Sequence, residues 1–279
     1  MKNKIIISFL FLLILNIGCK TNSATTESTT QTKVEKQENT IPNREHSIQA
    51  LLWQQQSSEY KALSHQAFNL AKMYLDKLTT NKLHKRPLAI VTDIDETVLD
   101  NSPYNARMVR DNSNYTRKTW KAWGEEEKAR SIPGALEFFK YAQSKGVTIF
   151  YISNRRHDQK EETMKNLIKN GFPAVDAKHV LLRTDTGKKQ ARRDIVSKTH
   201  KIVMLLGDNL SDFSELFDGK STKERNNLVK EMKNDFGTKF IVLPNPMYGD
   251  WETKGIYEAS YKWTEKQKDS IRKAKLIVD

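Results

Sequence analysis

The chain has 279 residues, a formal charge of +13 and one cysteine. That length fits one domain with insertions, and a sole cysteine excludes an intramolecular disulfide. An excess of positive charge favours anionic partners such as phosphates, nucleotides or lipid headgroups. Zinc-finger spacing and RNA-binding aromatic motifs are absent and the lysines are dispersed, so no nucleic-acid partner is expected.

In chain order, Lys2 and Lys4 precede an apolar run over residues 5–15 broken only by Ser8. The run is shorter than the roughly 20 residues a permanent membrane helix needs. It ends in Asn16-Ile17-Gly18-Cys19, which resembles the lipobox of bacterial lipoproteins, with Asn16 standing where that motif prefers Leu. Residues 1–18 are therefore expected to be a lipoprotein signal peptide, and Cys19 a lipid anchor holding the protein at the cell envelope. Removal of the leader leaves a charge of +11. Residues 19–44 are rich in Thr, Ser, Glu, Gln and Lys and too poor in large apolar residues to offset their ordering entropy, which predicts a flexible tether. Residues 45–279 form the remaining domain.

Residues 47–78 carry Leu51, Leu52, Tyr60, Leu63, Phe68, Leu70, Ala71 and Tyr74 at helical spacing and predict one long helix or two. Four apolar runs, 88–92, 147–152, 202–206 and 240–243, with a weaker one at 179–182, read as buried, mostly parallel strands. Helical patterns at 135–144, 157–169, 190–198 and 222–235 alternate with them, and Gly146, Gly171 and Gly237 fall at expected helix ends. The alternation predicts an α/β fold with a helix-flanked parallel sheet.

The residue that ends each run carries the chemistry. The first strand stops at Asp93-Ile94-Asp95-Glu96-Thr97, the second at Ser153-Asn154-Arg155, the third at Gly207-Asp208-Asn209-Leu210-Ser211-Asp212. Lys189, with Lys188 beside it as a competitor, stands near a helix start between the second and third. Parallel strands present their carboxyl ends on one edge, so these groups converge. A carboxylate does not approach a dianionic phosphate without a cation between them, and Mg²⁺ is satisfied by two or three hard oxygens plus water. Asp93 and Asp208 are the expected metal carboxylates, with the backbone carbonyl of Asp95 as a further ligand. Asp93 is the candidate nucleophile and Asp95 the acid–base. Ser153 and Asn154 offer hydrogen bonds to a phosphoryl group, Lys189 offsets its charge, and Asp212 anchors Lys189 or a metal-bound water. Taken singly, Ser153 reads equally as a turn residue, and Asp208-Asn209 as a helix cap.

The order D-x-D-x-T, Ser, Lys, G-D-x-x-x-D resembles the haloacid-dehalogenase (HAD) superfamily. More narrowly, residues 93–104 and 207–213 resemble the class C acid phosphatases, most of all the branch typified by outer-membrane lipoprotein e. The likeness extends to Trp53-Gln54-Gln55-Gln56, Phe150-Tyr151-Ile152-Ser153-Asn154-Arg155 and Asn245-Pro246-Met247-Tyr248-Gly249-Asp250-Trp251. It implies a HAD-like Rossmannoid sheet with a small α-helical cap, Mg²⁺, an acidic optimum and hydrolysis of phosphomonoesters. The substrates implied are nucleoside 5′-monophosphates, including nicotinamide mononucleotide. A broad small-ester phosphatase and a non-catalytic surface-binding lipoprotein are the alternatives. The resemblance also selects Lys189 as the lysine, because it precedes x-Ala-Arg, and it places Ser153 where lipoprotein e has Thr. An insertion at about 101–132 is the expected cap. By resemblance, Tyr115, Trp120 and Tyr248 form the substrate-stacking box. Against that, Trp120 and Trp123, three apart, have the spacing of residues that pack a cap onto a core.

Overall fold

The computed structural model of the protein describes residues 41–80 and 84–278. The expected signal peptide, Cys19 and most of the tether lie outside the described residues. Five parallel strands form one sheet in the order β5-β4-β1-β6-β7: β1 (Leu88–Thr92), β4 (Thr148–Arg156), β5 (Val180–Arg183), β6 (Lys201–Gly207) and β7 (Phe240–Val242). The fold is therefore the expected α/β, Rossmann-like sheet flanked by helices. The central strand β1 is buried along its whole length. Its alternation sends Leu88 and Ile90 into one apolar cluster and Ala89 and Val91 into another, which is why the segment reads as unbroken hydrophobicity.

Two helices, α1 (Ile48–Gln56) and α2 (Ser58–Thr80), precede β1. They are separate because Ser57 is extended; its hydroxyl donates to the Trp53 carbonyl and accepts from the Tyr60 amide. On one face of the sheet α2 buries Phe68, Ala71 and Leu75, joined by Phe138 and Phe139 of α5 (Ala135–Ser144). On the other, Val196 of α7 (Gln190–Thr199) packs with Phe150 and Leu205. The helix α6 (Lys160–Lys169) starts three residues later than its sequence pattern, after a 3₁₀ turn at His157–Gln159, and α8 (Thr222–Glu231) ends four residues early. Gly146 and Gly171, with φ of 75° and 83°, end α5 and α6 as expected, whereas Gly237 (φ 81°) lies six residues past α8, in a turn whose Gly237 amide donates to the Phe240 carbonyl.

The segment between β1 and α5, where a cap was expected, holds a two-stranded ribbon, β2 (Leu99–Asp100) with β3 (Arg130–Ser131), and between its strands α3 (Ser102–Arg110) and α4 (Arg117–Glu125). One boundary needs correction. The tether was expected to reach residue 44, yet Asn43 hydrogen-bonds Asn112 and Asn114, and Arg44 donates to Asn105. These polar side chains read as solvated in sequence because their partners lie some sixty to seventy residues away. A helix, α9 (Glu265–Ala274), closes the chain. Among the described residues no helix is long and apolar enough to cross a membrane.

Candidate active site

The carboxyl ends of β1, β4 and β6 open into a cleft of about 450 Å³. Immediately after β1 the chain turns tightly. The amides of Val98 and Leu99 both donate to the Ile94 carbonyl, and Glu96 takes a left-handed conformation with φ 54°. That turn buries Ile94 and Val98 and leaves Asp93 and Asp95 lining the cleft. From β6, Asp208 follows the strand, and a 3₁₀ turn at Leu210–Asp212 brings Asp212 back beneath it. Asn209, rather than Asp208, stands at the N-cap of that turn: its backbone carbonyl accepts from the Asp212 amide at 2.9 Å while the Asp212 carboxylate accepts from the Asn209 amide at 3.0 Å. Gly207 permits this return, because a Cβ there would lie 2.4 Å from the Asp212 side chain.

Lys189 stands at the N-terminus of α7, buried, with its ammonium bound to Oδ1 of Asp93 and, at 2.7 Å, to Oδ1 of Asp212. Lys188 beside it is exposed, so the fold separates the two lysines. Burial opposes the Lys189 ammonium, but Asp212 and Asp93 outweigh it and hold it above the ordinary lysine range. Ligand oxygens of Asp93, Asp208 and Asp212 all lie within 4.8 Å of one another. Burial first, then Asp212 and Asp95, push Asp93 up to about 7 against the opposing pull of Lys189. Asp208 is also raised well above its usual range, by desolvation and then by Asp212 and Asp93. Three clustered carboxylates thus face one ammonium, and the excess negative charge calls for protons or a cation. The donor set is all hard oxygen, and it fits a divalent metal of the magnesium type. Asp208 is oriented by Asn245, which donates at 2.8 Å, and by the Thr97 hydroxyl at 3.3 Å.

Asp95 lies outside that cluster and is held differently. Its Oδ1 accepts from Nε and Nη2 of Arg155 at 2.9 and 2.8 Å and from Nδ2 of Asn101 at 2.9 Å; the Ser153 hydroxyl donates to Oδ2 at 3.3 Å. Ser153 is buried and Asn154 exposed at the end of β4, both lining the cleft. Arg192 of α7 donates to the Ser153 carbonyl and to Asn154 Oδ1, locking this strand end.

Of the expected aromatic residues, Tyr115 is 57% exposed, Trp120 is partly buried, and both line the cleft with ring centroids 6.3 Å apart. Trp120 also packs edge-on to Tyr104, so it meets the cleft and the cap core at once. Trp123 is fully a packing residue, its indole N–H donating to Asn101 at 2.8 Å. Tyr248 lines the cleft, and its hydroxyl donates to the buried Glu96. Reading the sequence for function did not single out Arg155, Asn101, Arg192, Asn245 or Arg44. Asn101, Arg155 and Asn245 lay within the quoted motifs, but nothing local to them announces a buried partner.

The family model described as HAD superfamily, subfamily IIIB (acid phosphatase) matches residues 15–251. The chain is similar to solved structures of the class C acid phosphatase from Bacillus anthracis. The one with tungstate bound has a TM-score of 0.81 at 43% identity, the match covering 86% of this chain and 100% of that one. A second gives 0.80 at 43%, covering 85% and 98%. More distant are the stem 31 kDa glycoprotein of Glycine max, 25% identical over 197 residues and 68% of each chain, and acid phosphatase 1 of Solanum lycopersicum, 25% identical over 166 residues. The latter match spans 57% of each chain.

Proposed function

Since the chain belongs to the class C acid phosphatases, subfamily IIIB of the HAD superfamily, and is a phosphomonoester hydrolase, we propose that it cleaves nucleoside 5′-monophosphates, nicotinamide mononucleotide included, through an aspartyl-phosphate on Asp93. The observation that carries this reading is the buried Lys189–Asp93–Asp212 ion cluster with Asp208 beside it, opening into an aromatic-walled cleft. Phosphatases of this superfamily generally use a divalent metal. Asp93, Asp208 and the backbone carbonyl of Asp95 would hold Mg²⁺ here, with Asp212 beside them. Bound there, the cation would neutralise phosphate and carboxylate charge, allowing the two to meet. The tungstate in the Bacillus anthracis structure is a tetrahedral oxyanion of phosphoryl shape, which supports an oxyanion site.

Lys189 binds Oδ1 of Asp93, and Oδ2 accepts no hydrogen bond from the described residues. That free oxygen attacks phosphorus, forming the Asp93–phosphorus bond as the ester bond breaks, while Asp95 gives its proton to the departing oxygen. Asp95 then takes a proton from water, whose oxygen attacks phosphorus; the acyl-phosphate breaks, inorganic phosphate leaves and Asp93 is regenerated. Ser153 and Asn154 supply donors to the phosphoryl oxygens, and Lys189 offsets charge on the pentacoordinate state. A nucleobase or pyridine ring stacked on Tyr115, Trp120 or Tyr248 would contribute about 1–3 kcal/mol.

The test is phosphate release by a form beginning at Lys20, with and without Mg²⁺, from AMP, nicotinamide mononucleotide, glucose 6-phosphate and an aryl phosphate. Metal-dependent turnover favouring the nucleotides and lost in Asp93→Asn is the expected result. Equal turnover of all four would make the enzyme a broad scavenger, and none by folded, metal-loaded protein would leave a binding protein. The N-terminal sequence supports anchoring at Cys19 on the cell envelope. In that case Cys19→Ser releases the enzyme into the soluble fraction and abolishes labelling by a fatty-acid probe.

A further inference from the structure

The cap and the Asp95 carboxylate share one side chain. Arg155, at the end of β4, is only 3% exposed, and its guanidinium lies over the Trp120 ring, 5.4 Å from the centroid. The same group donates to Asp95 through Nε and Nη2, to Asn101 Oδ1 at 3.3 Å and to Thr163 of α6 at 3.3 Å. Asn101 in turn accepts from Trp123 of α4 and donates to Asp95 Oδ1. Both tryptophans of the cap therefore rest on the two residues that grip Asp95.

The two oxygens of Asp95 are not treated alike. Oδ1 accepts three donors at 2.8 to 2.9 Å, while among the described residues Oδ2 has two longer contacts, each 3.3 Å, from Arg155 Nε and Ser153 Oγ. An oxygen with three donors has no room for a proton of its own. Oδ2 is the one able to carry a proton and hand it on. We propose that Arg155 is a positioning residue that clamps Oδ1 of Asp95 and so presents Oδ2 to the leaving oxygen, with its own orientation set by the cap through Trp120. This rests on the assignment of Asp95 as the acid.

Leaving-group dependence reads such a role directly. Phenyl phosphate and p-nitrophenyl phosphate are nearly the same size, but only the more basic phenolate needs protonation as it departs. In kcat/KM, which stops at formation of the phospho-enzyme, the later water-activating step does not enter. The ratio of the two kcat/KM values from one preparation is also independent of the fraction folded, so a partly unfolded variant still reports. Arg155→Met is expected to shift that ratio roughly tenfold or more toward the nitrophenyl ester, with Arg155→Lys between it and the parent, because general-acid catalysis typically supplies about 10²–10⁴-fold. Asp95→Asn should shift it at least as far, and adding Arg155→Met to Asp95→Asn should shift it no further. An unchanged ratio in both Arg155 variants beside a shifted one in Asp95→Asn overturns the positioning role and leaves the acid assignment standing. An unchanged ratio in Asp95→Asn overturns the acid assignment itself.

Discussion

Gly207 is the smallest residue in the site and one of the most constrained. It ends β6 with Asp212 folded against it so closely that a Cβ would lie 2.4 Å from both Cβ and Oδ2 of Asp212 and 2.8 Å from Cγ. Asp212 belongs to the framework of the turn, where its carboxylate caps Asn209, and so it cannot swing aside cheaply. It also supplies half of the charge that holds Lys189 beside Asp93. In Gly207→Ala the aspartate must move, and Lys189 moves with it. Displacements near 1 Å at a reacting centre cost about 100-fold in rate, and overpacking of this kind costs about 1–3 kcal/mol. Phosphate-release assays should therefore show a fall of that order, together with a lower Tm. A variant within twofold of the parent rate would show that Asp212 is not needed where it stands.

At the scale of elements, the cap is held by contacts of its own as well as by the site. The Tyr104 hydroxyl of α3 bonds Thr119 of α4 at 2.9 Å, and Arg107 of α3 makes a bidentate ion pair with Glu126 just beyond α4. That pairing with Arg107 draws the Glu126 carboxyl down to about 2. A carboxyl depressed in the folded state adds stability above its unfolded value, near 4.5, and loses it as pH falls toward about 2. At the mildly acidic pH where an acid phosphatase works, the pair is thus still ionised. Because both side chains are partly exposed, at 38% and 29%, its contribution is about 0.5–1 kcal/mol. Glu126→Gln should lower Tm at pH 6 by an amount that vanishes near pH 2; an equal deficit at both would mean that packing, not charge, is responsible. Legibility in the sequence follows the same division between near and far. The helix expected at 135–144 is Ala135–Ser144, because a left-handed Gly134 and Gly146 bracket a clear apolar stripe. Strand β4 instead runs four residues past its apolar pattern, since Ser153 to Arg156 are kept extended by pairing with β5 and by partners elsewhere. The aspartates were readable because strand ends collect polar residues in a fixed order, and Lys189 because it precedes the x-Ala-Arg of the resembled family at a helix start. Arg155 was not, because what makes it more than a solvated arginine is a carboxylate sixty positions earlier.

Across the whole molecule, a chain with formal charge +13 nevertheless gathers three carboxylates in one buried place. Asp93, Asp208 and Asp212 meet at the sheet edge, and Lys189 answers only part of their charge. Folding without a cation therefore forces protons onto carboxyls that would be ionised in the unfolded chain. Asp93, near 3.8 when unfolded and about 7 when folded, binds a proton in the native state throughout that interval. A group whose folded value is raised in this way makes the native state less stable as pH climbs from about 4 to about 7. Asp208, raised for the same reasons, acts in the same direction. A divalent cation displaces those protons and reverses the trend, so binding releases protons and strengthens with pH. Chelator-treated protein should accordingly lose stability as pH rises from 5 to 7.5. The rise in Tm on adding Mg²⁺ should be larger at pH 7.5 than at pH 5. Calorimetry in two buffers of different ionisation enthalpy checks the proton release independently. Equal Tm gains at the two pH values, with no proton release, would mean that the cation binds away from these aspartates and that the cluster is neutralised in some other way.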